Sequence, residues 1–189
     1  MDLVSMIEHC APTVAPATMA QILRVESAFR PYAIGAVITK DGQRFQLAYQ
    51  PTDKAQAISW VGWLSSHGYR FDAGIAQINS NNFQRLGLTV DSMFDPCASI
   101  AAGGKVLTEF HQRAVLRFGM NQTALRAAIS AYQTGSFTRG FGTGYVQRVI
   151  GGDLFSARTV GSAAITDGAN APSFSPTGVA FSVKSLAAD

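Results

Sequence analysis

Glu26 is the side chain of this sequence that is best placed for acid–base chemistry. Leu23, Ile22 and Met19 precede it by three, four and seven positions, so these residues share one face of a predicted helix. Because the other three are apolar, this face is expected to turn toward the core. Burial and the partial negative charge of a helix C-terminus both disfavour a carboxylate, so we expect the pKa of Glu26 to be raised. A carboxyl group that stays protonated near neutral pH can act as a general acid. The ordinary alternative is a glutamate that only covers the core from the last helical turn.

The elements that must position Glu26 are mainly helical. A helix is predicted from Pro16 to Ser27, and Pro31 closes it. A β-hairpin over Val37–Leu47 turns at Asp41-Gly42. Further helices are predicted over about 1–11, 98–118 and 122–134, and another opens at Pro51-Thr52-Asp53 and is ended by Gly68. A last helix carries Tyr145 to Ile150, a helical turn is predicted up to Leu86, and a glycine-rich loop is predicted over 140–144. The expected fold is therefore mostly α with a small β element.

Composition limits the domain organisation and the partners. The chain has 189 residues, 47% hydrophobic content, a net charge of +3 and a pI near 9.1. We expect one domain over 1–152 and a flexible tail rich in Ala, Ser, Gly, Thr and Pro over 153–189. No lysine- or arginine-rich block supports nucleic-acid binding, whereas a mild positive charge suits an anionic polymer such as a bacterial cell wall.

No apolar run is long enough to predict a membrane span. Asp2, Glu8 and His9 occupy the region where a signal peptide would be apolar, so no export signal is visible.

Neither the cysteines nor the histidines predict a metal or a cofactor. Cys10 and Cys97 are far apart, and no Cys-x-x-Cys pattern is present. His9, His67 and His111 lack the spacing of metal ligands. If the cysteines pair, the long loop that they close would contribute roughly 4 kcal/mol on the chain-entropy model and would indicate an oxidising compartment. Two buried free thiols fit the composition nearly as well.

Four short segments resemble the motifs of lytic transglycosylases of the soluble, lysozyme-like superfamily. The first is Glu26-Ser27 followed by Phe29, Pro31 and Ala33. The others are Gly74-Ile75-Ala76-Gln77-Ile78-Asn79, Ala131-Tyr132-Gln133-Thr134-Gly135, and Tyr145-Val146 followed by Val149. Each segment alone is a weak signal, but their order over 26–149 is specific. The resemblance implies a lysozyme-like domain that cleaves peptidoglycan glycan strands.

Three further details are similar to one branch, the small transglycosylases that accompany type IV secretion systems. They are Cys10-Ala11-Pro12, Phe71-Asp72 and Asp95-Pro96-Cys97. This similarity implies a periplasmic enzyme that opens the wall locally, with secretion components as possible partners of the tail. Ala76 stands where the family usually has Met, which implies a smaller apolar wall in the sugar groove. Gln133 and Thr134 also depart from the family's Asn and Ala.

The resemblance implies a reaction that needs one carboxyl group. Glu26 protonates the bridging oxygen of the MurNAc–GlcNAc β-1,4 bond, and the N-acetyl group of muramic acid helps to stabilise positive charge at C1. Glu26 then takes the proton from the C6 hydroxyl of the same sugar as that hydroxyl attacks C1, which gives a 1,6-anhydro product without water. The tethered hydroxyl has the proximity advantage of an intramolecular nucleophile.

The resemblance also implies supporting roles, each with a structural alternative. Ser27 would hydrogen-bond near the acid or cap the helix, and Gln77 would hold sugar groups or satisfy a turn. Tyr132 would position Glu26 or the acetamido group, or pack in the core with an exposed hydroxyl. Asn79 would contact sugar or, preferably, cap the next helix. Tyr145 is a weaker substrate candidate, for which core packing is the better interpretation.

Two alternative functions remain open at this point. Most glycosidases use two carboxylates, and Asp72 is the candidate for the second one. With Asp72 assisting a water molecule, the chain would be a lysozyme-type hydrolase, although a turn or cap aspartate is the more ordinary role. The other alternative is a wall-binding assembly factor whose catalysis is dispensable. Trp60 and Trp63, three positions apart, predict either a sugar-stacking wall or, more ordinarily, core.

Overall fold

A computed structural model describes residues 2–35 and 38–151 of the chain. Eight α-helices lie in these residues: α1 Leu3–Cys10, α2 Pro16–Ser27, α3 Lys54–Ser66, α4 Phe83–Leu86, α5 Pro96–Phe118, α6 Gln122–Thr134, α7 Arg139–Gly142 and α8 Tyr145–Ile150. Four short strands accompany them: β1 Ile38–Lys40, β2 Gln43–Phe45, β3 Asp72–Ala73 and β4 Ile78–Asn79. The mostly-α prediction is confirmed. The tail predicted over 153–189 and the hairpin's first residue, Val37, lie outside the described residues.

Side-chain caps explain where two of the central helices begin. Asp53 accepts a hydrogen bond from the backbone N–H of Gln56 at 2.9 Å at the start of α3. Asn121 accepts one from the N–H of Ala124 at 3.1 Å at the start of α6. Each cap satisfies a backbone donor that has no partner within the first turn of its helix. Gly135 ends α6 with a φ of 67°, a left-handed conformation that glycine adopts without strain.

The described chain divides into two compact units, each with its own buried apolar residues. The first unit comprises residues 2–25 and 100–151, and the second comprises residues 26–35 and 38–99. In the first unit, Arg24 on α2 donates from Nη2 to the carbonyl of Arg148 on α8 at 3.0 Å. The buried apolar residues of this unit include Ile7, Met19, Ile22, Leu23, Leu107, Ile129, Val146 and Val149.

The second unit carries the four strands of the described residues. Its core cluster consists of Ile34, Ile38, Leu47, Ala57, Trp60, Val61, Leu64, Phe71, Ala73, Met93 and Phe94. Strands β1 and β2 pair antiparallel, with Ile38 opposite Phe45 and Lys40 opposite Gln43. Asp41 and Gly42 have φ values of 52° and 78°, as the tight turn predicted between these strands requires. The antiparallel pair β3–β4 was not predicted, because two-residue strands leave no periodicity in the sequence.

The prediction of a loop over 140–144 is wrong for the first part of that range, because Arg139–Gly142 forms a single helical turn. The turn is stabilised by contact with α6. The N–H of Gly140 donates to Ser130 Oγ at 2.8 Å, and Ser130 Oγ donates to the carbonyl of Ser136 at 2.7 Å. A Cβ at position 140 would lie 2.7 Å from Ser130 Cα, so a side chain there would prevent the approach. Tertiary packing therefore overrides the low helix propensity of glycine.

Both cysteines are disulfide-bonded, and since the chain has two, the bond joins Cys10 to Cys97. In the described part of the chain, no helix combines the length and the apolar character needed to cross a bilayer.

Candidate functional site

Glu26 is the penultimate residue of α2, and the backbone reverses sharply just beyond it. Ala28 and Phe29 have φ values of 52° and 63°. Consecutive left-handed residues other than glycine are uncommon and strained, and such strain concentrates at functional sites. Arg30 stabilises the reversal by donating from its backbone N–H and from Nε to the carbonyl of Ser27 at 3.2 and 3.0 Å. Glu26 is half-buried, and this reversal fixes its place at the end of the helix.

Ser27 links the end of α2 to the segment Gly74–Asn79. Its side chain is 2% exposed, and its Oγ donates to the carbonyl of Ile75 at 2.7 Å. This bond joins the residue after the acid to the second of the four family-like segments. Ser27 therefore holds in place the backbone that adjoins Glu26.

Replacing Ser27 with Ala should lower the free energy of unfolding by about 1–2 kcal/mol, because the buried carbonyl of Ile75 loses its donor. Any activity that depends on the setting of Glu26 should fall further than the loss of folded protein explains, because the end of α2 loses an anchor. Urea unfolding measures the loss of stability, and an activity assay measures the second effect. Ser66→Ala is the matched control, since Ser66 also donates from Oγ to a carbonyl, that of Trp63 at 2.9 Å, but is exposed. Equal effects of the two variants would contradict the positioning role.

The segment Gly74–Asn79 is folded onto the chain that follows α2 by backbone and amide hydrogen bonds. The N–H of Gly74 donates to the carbonyl of Ala33 at 2.9 Å. Gln77, whose φ is 48°, donates from Nε2 to the carbonyls of Ala33 and Gly74 at 3.0 and 2.8 Å. The Gln77 amide nitrogen thus satisfies turn carbonyls, as the structural alternative for this residue anticipated. Its Oε1 lies close to Gly35, because a Cβ added to that glycine would be 3.3 Å from this oxygen.

Asp72 and Asn79 are partners across β3 and β4. Asn79 donates from Nδ2 to Asp72 Oδ1 at 2.8 Å, and its Oδ1 accepts from the N–H of Asn81 at 3.1 Å as the cap of a 3₁₀ turn. Burial raises the pKa of Asp72, and the hydrogen bond from Asn79 opposes that rise. The carboxyl group of Asp72 is thus engaged by its partner across the β3–β4 pair.

The raised pKa of Asp72 predicts a pH-dependent stability. Because the folded state holds the proton more tightly, the contribution of Asp72 is fully present below the unfolded pKa of 3.8 and is lost as pH rises through the higher folded value. Asp72→Asn cannot ionise, so it removes this pH-dependent loss of stability, and it keeps a side-chain oxygen that can accept from Asn79. The variant should therefore be more stable than wild type at pH 7, and the difference should narrow toward pH 4.

Thermal unfolding between pH 4 and pH 8 tests this prediction. Asp91→Asn serves as the control, because Asp91 is an exposed carboxylate that pairs with Lys54 at 3.1 Å. A wild type that gains stability relative to Asp72→Asn as pH rises would contradict the prediction.

Ser99 is a site residue that the sequence analysis missed. It is 1% exposed in the first turn of α5, and its Oγ accepts from the N–H of Ala76 at 3.2 Å. Asp95 caps the start of the same helix by accepting from the N–H of Ala98 at 2.8 Å. The signal that could have found Ser99 is a hydroxyl on the buried side of a helix that begins at Asp95-Pro96. Ala76 itself is fully buried, so the expected role of this residue as a wall of the sugar groove is wrong.

The other two family-like segments lie in the first unit. Tyr132 is half-buried on α6, whereas Tyr145 on α8 is 1% exposed, which fits the packing role expected for it. Gln133 Oε1 accepts from Thr143 Oγ1 at 3.2 Å, and Thr134 Oγ1 donates to the carbonyl of Ser130 at 2.7 Å. The polar groups of Gln133 and Thr134 thus serve contacts within their own unit.

The two tryptophans of α3 belong to the packing of the second unit. Trp60 is 3% exposed. The ring of Trp63 is stacked with His67 at 4.2 Å and with Tyr69 at 5.6 Å between ring centroids. Because one tryptophan is buried and the other is engaged by two rings, the core interpretation is supported over a sugar-stacking wall.

With this geometry established, the chain can be compared with known proteins. Residues 5–149 match the sequence profile of the Transglycosylase SLT domain. The chain belongs to this family. The matched range begins in α1, ends in α8 and includes all four segments that suggested the family, so both the predicted membership and the lysozyme-like, mostly-α fold are confirmed.

Curated relatives agree with the branch that the sequence suggested. The chain is 44% identical over 151 residues to the "Type IV secretion system protein virB1" of Brucella abortus, covering 77% of this chain and 61% of the relative. It is 40% identical over 147 residues to "Protein virB1" of Agrobacterium fabrum, covering 75% and 55%. The chain thus spans about three-fifths of the length of these relatives. No solved structure matches it.

Proposed function

We propose that this chain is a peptidoglycan lytic transglycosylase that cleaves the MurNAc–GlcNAc β-1,4 bond and leaves 1,6-anhydro-MurNAc. The observation that carries the proposal is the setting of Glu26. It is half-buried at the end of α2, the backbone reverses immediately after it, and the buried Ser27–Ile75 hydrogen bond fixes its neighbour. A family member with one carboxyl group in such a setting has the acid that this reaction needs.

In the proposed reaction Glu26 acts twice. As a general acid it gives its proton to the bridging oxygen, and the substrate's N-acetyl group stabilises the charge that develops at C1. The resulting carboxylate then accepts the proton of the C6 hydroxyl, whose oxygen forms the new bond to C1. Glu26 ends the cycle protonated, no water is consumed, and no cofactor is required.

The surroundings of Asp72 favour this route over a lysozyme-type hydrolysis. Asp72 is half-buried, and its Oδ1 already accepts from Asn79 across β3 and β4. A second carboxylate that activates water or attacks C1 needs its oxygens free to face the sugar. We therefore assign Asp72 to the support of the β3–β4 pair.

The contacts of each residue support a proposed supporting role. Ser27 positions the end of α2, and Gln77 holds the turn beside Ala33 while offering Oε1 as an acceptor for substrate. Asn79 supports Asp72 and caps the turn after β4. Tyr132 remains our candidate for orienting the acid or the acetamido group. Tyr145 is assigned to packing, because it is 1% exposed.

The names of two relatives support a proposed place of action. Two curated relatives are named as virB1 proteins, one of them as a type IV secretion system protein. We propose that the chain acts in the periplasm and opens the wall locally where such a system is assembled. Residues 153–189 are proposed to contact secretion components.

Product analysis in water labelled with heavy oxygen tests the reaction. Purified peptidoglycan is digested with the full chain or with a lysozyme control, and soluble muropeptides are measured by mass spectrometry. We expect products one water lighter than reducing-end muropeptides, without label, whereas the control incorporates label at C1. Labelled reducing ends from the full chain would mean hydrolysis and would restore Asp72 as a candidate. Binding without any release would favour the wall-binding assembly factor.

A further inference from the structure

The C-terminal end of α5 carries two arginines and two aliphatic side chains that are almost completely exposed. Leu116 is 89% exposed and Met120 is 86% exposed, the highest values for large apolar residues in the described part of the chain. Arg113 and Arg117 are exposed as well. Arg113, Leu116 and Arg117 share one helical stripe because they are three and four positions apart, and Met120 follows just beyond the helix. We refer to these four residues as the arginine–aliphatic surface.

Basic side chains outnumber acidic ones around this surface, where Glu109 is an acidic neighbour four positions before Arg113 on α5. Residues 110–151 contain no Asp or Glu but include Arg113, Arg117, Arg126, Arg139 and Arg148. Over its described residues the first unit has seven basic and three acidic side chains, a net charge of +4. The second unit has six of each and is neutral. The basic character of the folded chain is thus concentrated in the unit that carries this surface.

Aromatic rings hold the two guanidinium groups in place. Arg113 Cζ lies 5.6 Å from the ring centroid of Phe110 and 5.9 Å from that of Phe137. Arg117 Cζ lies 5.2 Å from the centroid of Phe118, whose ring meets Phe137 edge-on at 5.9 Å. Cation–π contacts of this kind reduce the freedom that an arginine loses when it binds an anion. The positive groups are therefore already ordered beside the exposed Leu116 and Met120.

We propose that the arginine–aliphatic surface docks this chain onto a bilayer that contains anionic phospholipids. Guanidinium groups pair with lipid phosphates while their stems stay in apolar contact, and Leu116 and Met120 enter the boundary between headgroups and acyl chains. Charge complementarity selects the anionic lipid, because each arginine near such a surface adds to the attraction.

The aliphatic residues distinguish a bilayer from other anionic partners. A polyanion such as a glycan strand or a nucleic acid needs the arginines but gains nothing from an exposed Leu and Met. A rigid protein partner needs roughly 800 Å² of matched surface on each side, which four side chains do not provide. A fluid bilayer accepts two protruding side chains without such a match.

Vesicle binding by the full chain tests the proposal. Wild type should co-sediment with phosphatidylcholine vesicles that contain phosphatidylglycerol but not with pure phosphatidylcholine, and the binding should weaken as NaCl rises from about 50 to 300 mM. Arg113→Gln with Arg117→Gln should lower the partition coefficient about 30-fold. Leu116→Gln with Met120→Gln should lower it about tenfold at unchanged charge. Gln is a good helix former, and circular dichroism verifies that both double variants are folded.

The charge-matched control is Arg44→Gln with Arg70→Gln, which removes two exposed arginines from the second unit. This variant should bind within about twofold of wild type, because only the lost net charge affects it. Absence of wild-type binding to anionic vesicles would overturn the proposal. A control that is impaired as much as the surface variants would do the same. Unchanged vesicle binding by the aliphatic variant, together with arginine-dependent binding to purified cell-wall sacculi, would assign the surface to an anionic polymer instead.

Discussion

Replacing Glu26 with Gln should reduce cleavage of peptidoglycan at least about 10³-fold while leaving the fold intact. The amide has nearly the same shape as the carboxyl group but can neither give a proton to the bridging oxygen nor take one from the C6 hydroxyl. General acid–base catalysis contributes about 10²–10⁴-fold, and in the proposed reaction one group provides both transfers. Release of soluble muropeptides from sacculi, measured at equal folded concentration, tests the expectation.

Glu8→Gln is the matched control for this experiment. Glu8 is an exposed glutamate on α1, so its replacement makes the same chemical change away from the end of α2. It should cleave at the wild-type rate, and both variants should unfold within a few degrees of wild type. Residual activity of Glu26→Gln above about a tenth of wild type would mean that another group supplies the proton, and the assignment of Glu26 would fail.

The same assay applied to Asp72→Asn separates the two enzymatic mechanisms. A lysozyme-type hydrolase with Asp72 assisting water would lose activity in this variant as it does in Glu26→Gln. The one-carboxylate reaction should continue within a fewfold of wild type, because Asp72 supports β3–β4 through an oxygen that Asn retains. A large loss of rate without loss of stability would return Asp72 to the reaction.

The helices and the place of Glu26 at the end of α2 could be predicted because their signals are local. Asp53 and Asn121 precede apolar runs of helical period, and Pro31 ends the possibility of continuing α2. The spacing of three residues between Leu23 and Glu26 placed both on one face of α2, where Leu23 is buried and Glu26 is half-buried. Each of these features depends on residues within a few positions of one another, so it can be read from the local sequence.

The connections that support the acid could not be predicted, because they join distant parts of the chain. Ser27 bonds to Ile75 across 48 positions, and Ala76 bonds to Ser99 across 23. Each bond uses a serine hydroxyl, a group that is equally common in caps and on surfaces. The helical turn at Arg139–Gly142 was missed for the same reason, since its stability comes from Ser130 on α6 rather than from its own glycines.

Substitution of Gly74 should have a large effect on stability, because this residue is packed against residues that are distant in the sequence. Gly74→Ala is expected to lower the free energy of unfolding by about 3–5 kcal/mol, for two separate reasons. The φ of 80° places the residue in the left-handed region, where a Cβ meets the following carbonyl. That Cβ would also lie 2.4 Å from the carbonyl oxygen of Met93 and 2.7 Å from Ser99 Oγ. Because the Met93 oxygen belongs to the backbone, it cannot rotate away.

Gly42→Ala separates the two reasons. Gly42 has nearly the same φ, 78°, but no heavy atom lies within 4 Å of the Cβ it would acquire, so the variant should lose only about 1–2 kcal/mol. Urea unfolding of both variants measures the difference, which is the cost of displacing the Met93–Ser99 stretch. Gly74→Ala should also lose cleavage activity even where it is folded, because that displacement moves Ser99 and Ile75, and Ile75 is bonded to Ser27 beside the acid. Equal losses of unfolding free energy in the two variants would mean that only the positive φ requires glycine at position 74. The atoms around Gly74 would then move aside for a Cβ without disturbing Glu26.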